Sequence, residues 1–129
     1  MNVLVIGQSN AERWFGQHRL GSTSFRSLLS EALGERVTLV DAAVNGSALL
    51  PIKASNWSKT GKHYDAAIDA ANGSGAPIDA VVWIQGEEEA EAGISANRYR
   101  KGLDDLVDRL HADLGDVPVL IQRLLIPMP

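Results

Sequence analysis

Val3-Leu4-Val5-Ile6-Gly7-Gln8-Ser9-Asn10 is the stretch whose reading decides the fold. Four aliphatic residues, three of them β-branched, run straight into Gly-Gln-Ser-Asn. An unbroken apolar run of this kind fits a strand buried on both faces, which places it in a parallel sheet covered by helices. In open α/β sheets, ligands bind in the crevice beyond the carboxyl ends of the strands. A serine just past such an end presents its hydroxyl at that rim, so Ser9 is a candidate nucleophile.

Working outward, the same grammar repeats. Phe25, Leu28, Leu29, Ala32 and Leu33 recur at helical spacing after the capping run Gly21-Ser22-Thr23-Ser24, and Gly34 stops the helix. Val37-Thr38-Leu39-Val40 predicts a second strand. Residues 47–63 read as a long surface loop carrying Lys53, Lys59 and Lys62, and a short helix follows over Tyr64–Ala71. Ala80-Val81-Val82-Trp83-Ile84 predicts a third strand, in which Trp83 reads as core. A helix over Ser95–Leu114 places Leu103, Leu106, Val107, Leu110 and Leu114 on one stripe. Val117–Ile121 predicts a fourth strand, continuing as far as Ile126. Strand and helix alternating in this way predict one domain over residues 1–129, of the three-layer α/β/α class with a parallel sheet.

Composition narrows the function. A net charge of −4 gives no basic face for nucleic acid. With no cysteine there is no disulfide framework, thiol nucleophile or Cys-ligated zinc. No apolar run approaches the roughly 20 residues of a membrane helix. Met1-Asn2 leads directly into a strand without the pattern of a signal peptide, so a cytoplasmic location is expected. The acidic run Glu87-Glu88-Glu89 reads as favourable charge near a helix start rather than as a metal site.

In a parallel sheet the loops after strands one, two and three meet on one edge. They read Gly7-Gln8-Ser9-Asn10, Val44-Asn45-Gly46-Ser47 and Gln85-Gly86-Glu87. An alcohol attacking an ester carbonyl needs donors aimed at the oxyanion as it develops. The N–H groups of Ser9 and Gly46 and the side-chain amide of Gln85 are the candidates. Glu87 and Asn10 are expected to orient the loops. Trp57 and Lys53 are candidate substrate contacts, by stacking on a sugar ring and by charge. No metal or organic cofactor is required.

At these three blocks the chain resembles the SGNH (GDSL-like) hydrolases, and more closely the branch of sialate O-acetylesterases and acetylxylan esterases. The resemblance spans Met1 to about Ile126. It implies a flavodoxin-like SGNH hydrolase fold, Ser9 as nucleophile, Gly46 and Gln85 as oxyanion donors, and acylated carbohydrates or small esters as substrates. One departure follows the third block: where the family has a Ser-Asp-like pair, this chain has Glu88-Glu89, which bears on how the loop is pinned.

The base that the family supplies is a histidine in an Asp-x-x-His block after a further strand. The chain stops before that region, so it is expected to be a C-terminally truncated member of the fold. Asp108-Arg109-Leu110-His111 matches by letters, but Leu106, Leu110 and Leu114 account for that spacing as helix packing. His63 lies in the lysine-bearing loop on the active edge, and His18 reads as a surface residue. The leading expectation is a serine esterase. The alternatives are a non-catalytic carbohydrate- or ester-binding module and an inactive fragment lacking the catalytic histidine. A sheet without its edge strand is also expected to leave an apolar edge open to self-association.

Overall fold

The computed structural model describes residues 1–7, 30–32 and 34–122. Strands β1 (Asn2–Gly7), β2 (Thr38–Asp41), β3 (Ala80–Ile84) and β4 (Val119–Ile121) form one sheet in the order β2-β1-β3-β4, with every pair parallel. Helix α1 (His63–Asn72) leads into β3, and α2 (Glu87–Glu91) and α3 (Ala96–Leu114) lie between β3 and β4. This is the expected α/β class, consistent with the three-layer arrangement. The spatial order turns around between β1 and β3, because β2 lies on one side of β1 while β3 and β4 lie on the other. Such a switch point opens a crevice at the carboxyl rim. The register sets Gly7 opposite Ile84, so β1 and β3 end level with each other there.

Strand pleating sorts the core into two faces. Leu4, Ile6, Val81 and Trp83 face one side and cluster with Tyr64, Ala67 and Ala71 of α1 and with Tyr99, Leu106 and Leu110 of α3. Val3, Val5, Ala80, Val82 and Ile84 face the other side and cluster with Val37. Full burial of a leucine such as Leu106 or Leu110 contributes about 1.5–3 kcal/mol. Four of the five residues of the predicted α3 stripe are thus in place, with Leu103 and Leu114 packed at its margins, while Val107 is half-buried and lies outside the cluster. Tyr99 belongs to it as well. The helix begins where the Ser95 hydroxyl accepts the Arg98 N–H at 3.2 Å, an N-cap, and closes at Gly115, whose N–H reaches His111 O at 3.0 Å.

The segment after β2 departs from expectation. Ser47, Ala48 and Trp57 are fully buried, and Leu49 and Asn56 nearly so, so the first part of this stretch folds inward rather than lying on the surface. It closes on itself: the Ala48 N–H reaches Ser55 O at 3.0 Å and the Trp57 N–H reaches Ala48 O at 2.8 Å. A long loop can be buried in this way only when its backbone groups find partners. The loop's polar composition hid two apolar anchors, Leu49 and Trp57.

Several expectations fall on residues outside those described: Ser9 and Asn10, Trp14, Phe15 and His18, most of the helix expected over residues 25–33, and any continuation of β4 past residue 122. Residues 30–32 are helical, as predicted. On β4, Leu120 and Ile121 are 54% and 47% exposed, which makes this edge apolar among the described residues. No described helix is long and apolar enough to cross a membrane.

Candidate active site

The rim is built on Gly7. Its φ is +123°, and a Cβ there would lie 2.1 Å from Ile84 O, so only glycine lets β1 and β3 run together to their ends. Its carbonyl accepts the Val44 N–H at 2.9 Å and lies 3.1 Å from the Ser47 hydroxyl. That hydroxyl shares its hydrogen with Val44 O at 2.8 Å and accepts the Trp57 indole N–H at 2.8 Å. The Ser47 carbonyl in turn accepts from Gln85 Nε2 at 3.2 Å. The second and third sequence blocks therefore meet at the end of β1, the strand that leads into Ser9. Between Val44 and Ser47, Gly46 adopts φ +71°, and no described residue lies within 4 Å of where a side chain would project. Its N–H makes no hydrogen bond to the described residues.

Gln85 is almost wholly buried, and its amide is fully engaged. Nε2 donates to Ser47 O and, at 2.6 Å, to Glu89 Oε2. Oε1 accepts from the Tyr99 hydroxyl at 2.8 Å. The amide is therefore not a free donor, which the residue type alone could not reveal. Tyr99 also accepts the Trp83 indole N–H at 3.1 Å. Burial pushes the Tyr99 hydroxyl well above the usual phenol range, and the nearby Glu89 adds to the effect, so it keeps its proton.

Glu89 is the residue that sequence reasoning missed. It sits in the first turn of α2 and is completely buried. Its Oε1 accepts the backbone N–H groups of Leu49 at 2.6 Å and Leu50 at 2.9 Å. The acidic run had read as charge near a helix start, yet only two of its members have access to solvent. Glu88 pairs with Lys53 at 3.3 Å, and Glu87 is half-buried. The signal available in the sequence was the departure from the family's Ser-Asp pair, since Glu89 stands at its second position.

The other candidates sort by exposure. Trp57 is 0% exposed, T-shaped against Trp83 at 5.7 Å between ring centroids, and offers no face to a sugar. An indole surrounded by leucine, tryptophan and a serine hydroxyl is more stable inside than stacked at a surface. Lys53 is exposed and lines an open groove of about 690 Å³ with Ser55, Thr60, Lys62 and His63. His63 opens α1 at the carboxyl edge; its Nε2 lies 2.8 Å from Ser55 Oγ, and its ring lies 5.6 Å from Trp57. Burial lowers its pKa, which favours the neutral imidazole. His111 Nε2 lies 3.0 Å from Val117 O, just before β4 begins. That is the opposite edge of a parallel sheet, so the Asp108–His111 spacing belongs to helix packing. Among the described residues no group of three or more His, Asp or Glu is placed to hold a metal ion.

Comparison with curated proteins and with solved structures returns no significant match. A family model does match, over residues 18–127, and its description is carbohydrate esterase, sialic acid-specific acetylesterase. The matched range holds the Gly46 and Gln85 blocks and begins after Ser9. With that match covering most of its length, the chain belongs to the sialic acid-specific acetylesterase family of carbohydrate esterases.

Proposed function

We propose that this protein is a serine esterase that removes acetyl or other short acyl groups from carbohydrate-type substrates, with Ser9 as nucleophile. The observation that carries the reading is the convergence at the end of β1. Gly7, two residues before Ser9, is tied to the Val44–Ser47 turn, and that turn is tied to Gln85. Ser9 Oγ attacks the ester carbonyl carbon, and the carbonyl oxygen takes the displaced electron pair. The N–H groups of Ser9 and Gly46 receive that oxyanion. Gln85 supplies a third donor by releasing the longer of its two bonds, the one to Ser47 O. Collapse of the tetrahedral adduct breaks the bond from the acyl carbon to the sugar oxygen, which leaves as the alcohol with the proton that Ser9 Oγ released. Water then hydrolyses the acyl-serine, freeing the carboxylic acid and returning a proton to Ser9 Oγ. Lys53, exposed in the groove it shares with His63, is the candidate substrate contact.

The protein made from its complete reading frame, with and without Ser9→Ala, tests this. Hydrolysis of a simple acetyl ester should fall on the order of 10⁴-fold or more in the variant. A fluorophosphonate probe should label Ser9 by mass spectrometry. Full activity in Ser9→Ala would sink the assignment.

A second reading, a carbohydrate- or ester-binding module, draws on a specific observation. Neither described histidine has a carboxylate partner: His63 meets Ser55, and His111 meets a backbone carbonyl. That reading expects no probe labelling, and equal binding of an acetylated sugar by the wild type and Ser9→Ala.

A further inference from the structure

We infer that Glu89 is a positioning residue that fixes which way the Gln85 amide faces and locks the second and third loops of the site into one unit. The inference rests on the esterase reading for its kinetic consequence, but not for its geometry.

The direction of the buried network follows from its two ends. An indole N–H can only donate and a carboxylate oxygen can only accept. Trp83 Nε1 donates to the Tyr99 oxygen, so the single Tyr99 hydrogen is left to donate onward. It does so to Gln85, and the shorter contact is to Oε1 at 2.8 Å. With Oε1 held on that side, Nε2 faces Glu89 Oε2 at 2.6 Å and Ser47 O at 3.2 Å. An isolated glutamine amide could sit in either of two orientations related by a flip. Here one would set Nε2 against the Tyr99 donor and Oε1 against two acceptors, so a single orientation survives.

Glu89 also acts on the second loop. Its other oxygen takes the N–H groups of Leu49 and Leu50, two successive donors three and four residues after Gly46. One buried carboxyl thus holds the backbone beyond the Gly46 turn and the side chain of Gln85 together. Glu88, its neighbour, faces Lys53 at the surface, so this role belongs to one position of the acidic run.

The test separates acceptor chemistry from shape. Glu89→Gln keeps the size of the side chain but leaves it one acceptor oxygen, so its NH₂ group must face either Gln85 Nε2 or the Leu49 and Leu50 N–H groups. Glu89→Asp shortens the side chain yet keeps two acceptor oxygens. If Glu89 positions Gln85, kcat on an acetyl ester falls about 10²-fold in Glu89→Gln with KM little changed. Glu89→Asp then retains more activity than the isosteric amide. The opposite ranking, or equal loss in kcat and in folded fraction for both variants, overturns the inference.

A second readout does not depend on hydrolysis. The Gln85 side-chain NH₂ and the Leu49 and Leu50 amides should be protected from hydrogen exchange in the wild type. In Glu89→Gln, protection of the Gln85 NH₂ or of the Leu49 and Leu50 amides should be lost while the protein remains folded. Fast exchange of that group in the wild type overturns the inference even where the wild type hydrolyses esters. Protection in a wild type that hydrolyses nothing upholds the lock and removes only the esterase reading.

Discussion

The carboxyl rim of this sheet has a sealed half and an open half. In the sealed half, Ser47, Trp57, Trp83, Gln85, Glu89 and Tyr99 satisfy one another inside the protein, with donors and acceptors matched. In the open half, no described residue lies within 4 Å of where a Gly46 side chain would project, and the exposed Lys53 shares a groove with His63. Both halves are rich in polar residues, so composition does not tell them apart. Burial does: a polar group without water must find a protein partner or cost about 1–3 kcal/mol. Changes in the sealed half should therefore act on folding as much as on activity, and changes in the open half chiefly on activity.

The sharpest way to break that contrast is at the two glycines of the rim. Gly7→Ala drives a methyl group into the Ile84 carbonyl and should destabilise the protein by more than about 4 kcal/mol, read as loss of the folded state by circular dichroism. Next in size is Tyr99→Phe, which strands the Trp83 N–H and Gln85 Oε1. It should cost about 1–3 kcal/mol in a urea titration and reduce turnover by loosening Gln85. Gly46→Ala meets no steric neighbour among the described residues and should cost the left-handed backbone penalty, about 1–2 kcal/mol. A loss as large as that of Gly7→Ala would erase the distinction between the halves.

The smallest effect concerns pH. Burial lowers the His63 pKa below its ordinary 6.5, so the unfolded chain takes up that proton first as pH falls. The contribution to stability is therefore complete above about pH 6.5 and is lost as pH drops from there through the folded pKa. Thermal melts at pH 8 and pH 5 should differ less for His63→Gln than for the wild type. An unchanged difference would show that the Ser55–His63 contact leaves the imidazole free to titrate as it does in water.

How much of this was legible depended on the kind of signal. The β1 and β3 strands read directly, because a residue run buried on both faces has to be uniformly apolar. The α3 stripe read directly because Leu106 and Leu110 recur at helical spacing, and the same spacing explained His111. The Gly46 and Gln85 blocks were legible as strand-end loops, and the switch point between β1 and β3 brings them together. What the sequence could not show is partnership. Trp57 in a lysine-bearing loop has the letters of a sugar platform, and only the packed fold reveals it wedged against Trp83. Glu89 in a run of three glutamates has the letters of a solvated helix start, yet two backbone N–H groups from 39 and 40 residues away end on it.

By itself, then, the sequence determined the class of fold and the edge of the sheet on which the Gly46 and Gln85 loops meet, beside the end of the strand that leads into Ser9. These follow from local periodicity and from the rule that parallel strands end on one side. Only the tertiary structure decided which polar side chains are spent on one another and which stay available. That allocation depends on distances between residues far apart in the chain, where hydrogen bonds either close within about 3 Å or do not exist.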